Sequence, residues 1–287
     1  METLQQQSEV KCLTCGHMHT GTYCPECGEK VLDHEDKRIV VFFEEFFHLL
    51  FHADSKFLRS LKGLFIKPGQ LTSDFNAGRR KIYTPPLTLF FIGNVIYFLI
   101  APVDIVSSHY ISQTQGQVYS KSITPAVEKK IKAKKWTEAQ MEERYNEETS
   151  HISKMMLILL VFLFSIPVSI LYFNRSSYYS DHLVFATEIV SFMVYCLFLL
   201  IPWLFTLIYV LSVILFHYHI SESIMNSYAG VLPLLLLLWL WIAAAAGRVY
   251  KQNLAWTLVK SLLICISTMP IIIFYRYVLF YLTLWML

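Results

Sequence analysis

Residues 183–216 read LVFATEIVSFMVYCLFLLIPWLFTLIYVLSVILF, 34 positions with one charged side chain, Glu188. As a helix this stretch would rise about 51 Å at roughly 1.5 Å per residue, against a hydrocarbon core of about 30 Å. It is therefore either one long tilted helix kinked at Pro202 or a hairpin of two minimal spans. Further apolar runs lie at 87–106, 155–173, 231–247 and 258–284. Charge decides between the alternatives. With the amino terminus inside, a single helix puts Arg175, Arg248 and Lys251 together on the cytosolic side, whereas a hairpin sends the last two outside against the positive-inside tendency. The expected fold is an all-α integral membrane protein of about five transmembrane helices, amino terminus cytosolic and carboxyl terminus external.

Composition agrees with that reading. Of 287 residues 55% are apolar and 16% charged, well below the roughly 25% charged of a soluble domain. A soluble enzyme is excluded. The formal charge of +3 has no clustered excess of the kind that displaces counterions from nucleic acid, so no nucleic-acid partner is expected.

Four of the six cysteines fall close together, Cys12 and Cys15 in CLTCG and Cys24 and Cys27 in CPECG. Two CxxC knuckles at this spacing present four thiolates to one tetrahedral ion, which predicts a structural zinc ribbon over residues 1–35. Gly16 and Gly28 follow the second cysteine of each knuckle, where a turn requires positive φ. His17 and His19 lie between the knuckles; with four thiolates completing the shell, they read as solvated loop residues. Cys196 and Cys265 sit in apolar runs as small buried hydrophobes. The first thirty-odd residues lack an apolar h-region, so the head is expected in the cytosol, where thiols stay reduced.

Residues 36–84 read as interfacial helices and a basic collar. The apolar stretch 39–51 is too short to span. Glu44, His48 and His52 fall on one helical stripe, either the solvated face of an interfacial helix or a second metal site. A second short helix follows, with Asp54 or Ser55 at its start. Its apolar side carries Phe57, Leu61, Leu64 and Phe65, and its basic side carries Lys56, Arg59 and Lys62. Lys67-Pro68-Gly69 ends it, and a brief helix from Thr72 closes at Gly78. Arg79, Arg80 and Lys81 stand before the first span. This collar predicts contact with anionic lipid headgroups.

In the transmembrane domain, residues 85–287, the loop 107–152 is expected outside as a pair of helices. One half is basic and the other acidic; Thr124-Pro125 and the capping box Thr137 to Gln140 mark the starts. Pairing of the halves with each other, or docking of an exported partner, would use those charges. Ionisable groups at membrane depth mark function by default. Asp181, His182, Glu188 and Arg276 are the candidates for a polar path, although this topology puts Glu188 and Arg276 at opposite leaflets. His217, His219 and Glu222 form a weaker cluster in a short outer loop. No GxSxG, HExxH, P-loop or dinucleotide fingerprint occurs.

These features occur in a recognisable order: CxxCG with CPxCG, Lys67 to Gly69, Phe75-Asn76-Ala77-Gly78-Arg79-Arg80-Lys81-Ile82-Tyr83-Thr84-Pro85, Asp181-His182-Leu183-Val184-Phe185-Ala186, and Arg248-Val249-Tyr250. The chain thus resembles a bacterial zinc-ribbon membrane family catalogued as a domain of unknown function. Where that family often continues the HLVFA element with histidines, this chain has Thr187-Glu188-Ile189-Val190. The resemblance implies a bacterial inner-membrane location and supplies no activity. The functional expectation is a non-enzymatic scaffold or regulatory subunit with a zinc head and a protein partner. The alternatives are a transporter or channel using Glu188 and His182, and a membrane enzyme acting on lipid or lipid-linked substrates.

Overall fold

The computed structural model describes residues 10–11, 16–21, 24–26, 55–79, 82–102, 105–106, 108–173, 178–216 and 228–287. The chain divides into two compact units, Met1–Asp54 and Ser55–Leu287.

In the first unit β1 (Val10–Lys11) and β2 (Met18–His19) pair antiparallel, Val10 opposite His19 and Lys11 opposite Met18. Gly16 between them has φ +76, the left-handed conformation expected after a knuckle. His17 is exposed as expected. His19 is not a solvated loop residue: it lies on β2 at 7% exposure, while its neighbour Met18 is 52% exposed, because successive strand side chains take opposite faces. Cys24 is buried. Cys12, Cys15, Cys27, Glu44, His48 and His52 lie outside the described residues.

The regular elements described in the second unit are all helices. Its elements are α1 (Ser55–Ile66), α2 (Gln70–Asn76), α3 (Pro86–Ile100), α4 (Tyr110–Gln115), α5 (Ser120–Lys134), α6 (Glu138–Leu171), α7 (Tyr179–Phe192), a π-helical segment (Met193–Leu200), α8 (Ile201–Phe216), α9 (Tyr228–Tyr250) and α10 (Leu254–Met286). Among the described residues four helices are long and apolar enough to cross a membrane: Glu138–Leu171, Tyr179–Leu215, Val231–Tyr250 and Leu254–Met286. The fifth expected span falls short. α3 has 15 residues, about 22 Å at 1.5 Å per residue. It stops because Pro102 forces Ala101 out of the helical region, to φ −61 and ψ 127.

Residues 179–215 form one continuous helix, not a hairpin. Strain at Pro202 is absorbed upstream: eight residues run in π register just before this proline, which lacks an N–H and crowds the carbonyl four residues back. α6 is likewise continuous, so the acidic segment after Thr137 runs directly into the apolar span. Its capping box forms as expected, with Gln140 N–H donating to Thr137 Oγ1 at 3.3 Å and Thr137 N–H donating to Gln140 Oε1 at 3.0 Å. α5 begins at Ser120, not Thr124, and Pro125 lies inside it.

Side-chain contacts put the long helices in register. At one end, which we call the collar end, Tyr172 stacks on Tyr250 at 3.7 Å between centroids and His182 Nδ1 lies 2.8 Å from Tyr250 Oη. At the opposite end, the cap end, Trp203 Nε1 donates to the Ile100 carbonyl at 2.9 Å, and Tyr275 Oη donates to the Ser153 carbonyl at 3.0 Å. A second apolar core there joins α4, α5, α6 and α10 through Tyr110, Ile123, Val127, Met141, Tyr145 and Phe280. Thus α5 and the start of α6 share an apolar core. Among the described residues no ion pair links the basic half to the acidic half.

Candidate functional site

The expected interfacial helix α1 is also a docked one. Its face of Ser60, Gly63 and Leu64 is buried, with Lys56, Arg59, Lys62, Leu58 and Ile66 outward. The indole of Trp241, on α9, donates to the Leu64 carbonyl at 2.8 Å, and its ring stacks on Phe192 of α7 at 4.4 Å. Phe65 meets the same Phe192 edge-on at 6.1 Å. Trp241 lies nine residues from the α9 terminus, about 14 Å at 1.5 Å per residue. The turn between α1 and α2 therefore inserts between α7 and α9.

The turn itself is Lys67-Pro68-Gly69. Lys67 N–H closes α1 onto the Gly63 carbonyl at 2.9 Å, and Ser73 N–H opens α2 onto the Gly69 carbonyl at 3.0 Å. The first N–H groups of a helix have no internal partner, and buried they are costly unless capped. Glu188 caps them. Its Oε1 accepts the Gly69 N–H at 2.9 Å, and its Oε2 accepts the Thr72 N–H at 2.9 Å and the Thr72 hydroxyl. Glu188 is 1% exposed. On the other flank Arg248 of α9 donates Nη1 to the Pro68 carbonyl. One charged group thus satisfies the turn's donors and the other its acceptor.

Gly69 makes this geometry possible on two counts. It adopts φ +78, and a Cβ there would lie 2.5 Å from the Ala245 carbonyl oxygen and 2.9 Å from its Cα. The small run Ala243-Ala244-Ala245-Ala246-Gly247 lets the two backbones meet.

The four expected polar-path residues do not form one network. Glu188 holds the turn. Asp181 caps its own helix, Oδ2 accepting the Tyr178 N–H at 3.0 Å. His182 bonds Tyr250, whose ring is stacked on Tyr172; the Lys260 ammonium lies 4.7 Å from the Tyr172 centroid. Arg276 belongs to the cap end, its carbonyl accepting from Gln113 Nε2 at 3.4 Å and its charge acting on Tyr119. Burial pushes the Tyr119 phenol up to about 12 against that charge, and its hydroxyl donates to Gln113 Oε1.

Of the expected lipid-binding residues, Lys56, Arg59 and Lys62 are exposed on α1, and Arg59 Nη1 donates to the Ile82 carbonyl at 3.3 Å. Arg79 is paired with Asp74, a carboxylate 5% exposed that also accepts from Gln70 Nε2 at 2.7 Å. Arg80 and Lys81 lie outside the described residues. A small open crevice is lined by Leu71, Phe75, Arg79, Tyr83, Thr84 and Pro86. Among the described residues no three His, Cys, Asp or Glu side chains are grouped to hold a metal ion.

The sequence reading gives Gly69 only as a turn residue, Thr72 only as a helix start and Arg248 only as a topological charge and part of the Arg248-Val249-Tyr250 element, and it gives Trp241 no role. The signal available for them was the run of small residues before Arg248, which marks a close backbone approach.

No curated protein and no solved structure matches the chain. Residues 54–98, which cover α1, the inserted turn, α2 and most of α3, are similar to the family described as "Protein of unknown function (DUF3667)".

Proposed function

We propose that this chain is a non-enzymatic, multi-pass protein of the bacterial inner membrane that works through protein contact. Its zinc-bound ribbon, held by Cys12, Cys15, Cys24 and Cys27, faces the cytosol. The observation that carries the reading is the commitment of Glu188, a buried carboxylate at membrane depth, to two backbone N–H groups and a hydroxyl. A carboxylate that relays protons or ions needs a mobile partner; this one latches a helical turn into the bundle.

Lys56, Arg59, Lys62, Arg248 and Lys251, with Arg80 and Lys81 next to Arg79 in sequence, support a cytosolic collar end. The exposed lysines and arginine of α1 contact anionic headgroups. The carboxyl terminus, packed with α4 and α5 at the cap end, is then external. Two CxxC knuckles in reducing surroundings suit a structural zinc ion, which would stabilise a head too small to fold on its own core.

The test is chemical crosslinking in native membranes followed by purification and zinc analysis. The account predicts one zinc per chain and a stoichiometric crosslinked partner, both lost in Cys12→Ser/Cys15→Ser. A solute flux in proteoliposomes that Glu188→Gln abolishes, with thermal stability unchanged, would overturn it in favour of a transporter.

A further inference from the structure

Among the described residues of the first unit, His19 is a buried polar group whose hydrogen bonding is unmet. The hairpin register sets His19 opposite Val10, and the residues joining the strands contain the first CxxC knuckle. His19 faces inward at 7% exposure, and among the described residues neither Nδ1 nor Nε2 has a hydrogen-bond partner. A neutral imidazole carries one N–H donor and one acceptor, and burying such groups without partners is costly. A 54-residue unit has little core to offset that.

The ribbon supplies the missing chemistry. A divalent ion with four thiolates carries a net charge of −2, and its sulfurs accept hydrogen bonds. Cys24, five residues beyond His19, is buried as well. The shell is already filled by four sulfurs, which leaves the imidazole an outer role. We propose that His19 donates an N–H to a cysteine thiolate of the metal site, as a positioning residue that offsets the excess negative charge and raises metal affinity. This rests on the zinc reading above.

The experiment uses the full chain in detergent, loaded with Co(II) as a spectroscopic substitute, and compares wild type with His19→Phe, which keeps the ring volume, and His19→Asn, which restores an N–H. Expected are a four-sulfur ligand-field spectrum in all three and a 10- to 100-fold loss of Co(II) and Zn(II) affinity in His19→Phe by chelator competition. The sulfur-to-cobalt charge-transfer band of His19→Phe should move to longer wavelength, because an unbonded thiolate is the better electron donor. His19→Asn should recover part of both effects. Unchanged affinity and band position in His19→Phe overturn the inference and leave the zinc reading standing. A three-sulfur, one-nitrogen spectrum in wild type that changes in His19→Phe makes His19 a ligand and overturns the outer role. Failure of wild type to take up Co(II) overturns the zinc reading and the inference with it.

Discussion

Glu188 Oε1 accepts the Gly69 N–H at 2.9 Å across 119 positions of sequence, joining the third turn of a membrane-length helix to the tip of an inserted one. The bond explains why a carboxylate is tolerated at that depth. A helix start buried between α7 and α9 needs an acceptor, and the partial positive charge of its free N–H groups favours an anion.

Gly69→Ala should destabilise the protein by roughly 3 kcal/mol or more, since the added methyl meets backbone 2.5 Å away at a φ of +78. The atoms it meets are the carbonyl and Cα of Ala245, so Ala245→Gly should give no rescue. Thermal unfolding in detergent, followed by intrinsic fluorescence, reads both.

Trp241 contributes a ring and a donor, and the two can be separated. Trp241→Phe keeps a ring against Phe192 but loses the bond to the Leu64 carbonyl, at a cost of about 1 kcal/mol plus the penalty of an unpaired carbonyl. Trp241→Leu should lose more, on the order of 3 kcal/mol, through the vacated volume. The order of the two midpoints checks the assignment.

The collar charges should divide into two kinds. Replacing Lys56, Arg59 and Lys62 together by Gln should reduce retention of anionic lipid in the purified protein, each charge being worth about 1 kcal/mol near such a surface. Arg79→Gln should instead lower the unfolding midpoint with little effect on lipid, because its guanidinium is engaged by Asp74. Lipid extraction and phosphate analysis alongside melting curves separate the outcomes.

The cap end should weaken in alkali. Tyr119 holds its proton up to about pH 12, whereas an ordinary tyrosine ionises near 10.0. The unfolded chain therefore releases this proton first, and the associated stability is complete below pH 10 and lost as pH rises toward 12. Melting midpoints at pH 9, 10 and 11 should fall more in wild type than in Tyr119→Phe.

Much of the bundle was legible because apolar run length and charge placement act one helix at a time. The helix over 179–215 follows from the apolar run 183–216, and Arg248 with Lys251 argue for a single helix there. Apolar continuity carries the expected first span to Val106, whereas Pro102 ends α3 at Ile100. The latch was not legible. Gly69, Glu188 and Arg248 come together only through the packing of α2, α7 and α9, and the small-residue run before Arg248 marks a close approach without saying which segment makes it. His19 was misread for a related reason: its burial depends on which face its strand turns inward, and two residues of strand are too few to reveal a period.

The account turns on whether Glu188 and Thr72 act as a pair, and a double-mutant cycle measures that directly. Glu188→Gln, Thr72→Val and the combined variant are compared with wild type by unfolding in detergent. The predicted result is a coupling of roughly 0.5–3 kcal/mol, with the double variant little worse than the weaker single one. Strictly additive losses, or a Glu188→Gln protein as stable as wild type, would contradict the latch and return Glu188 to the polar path.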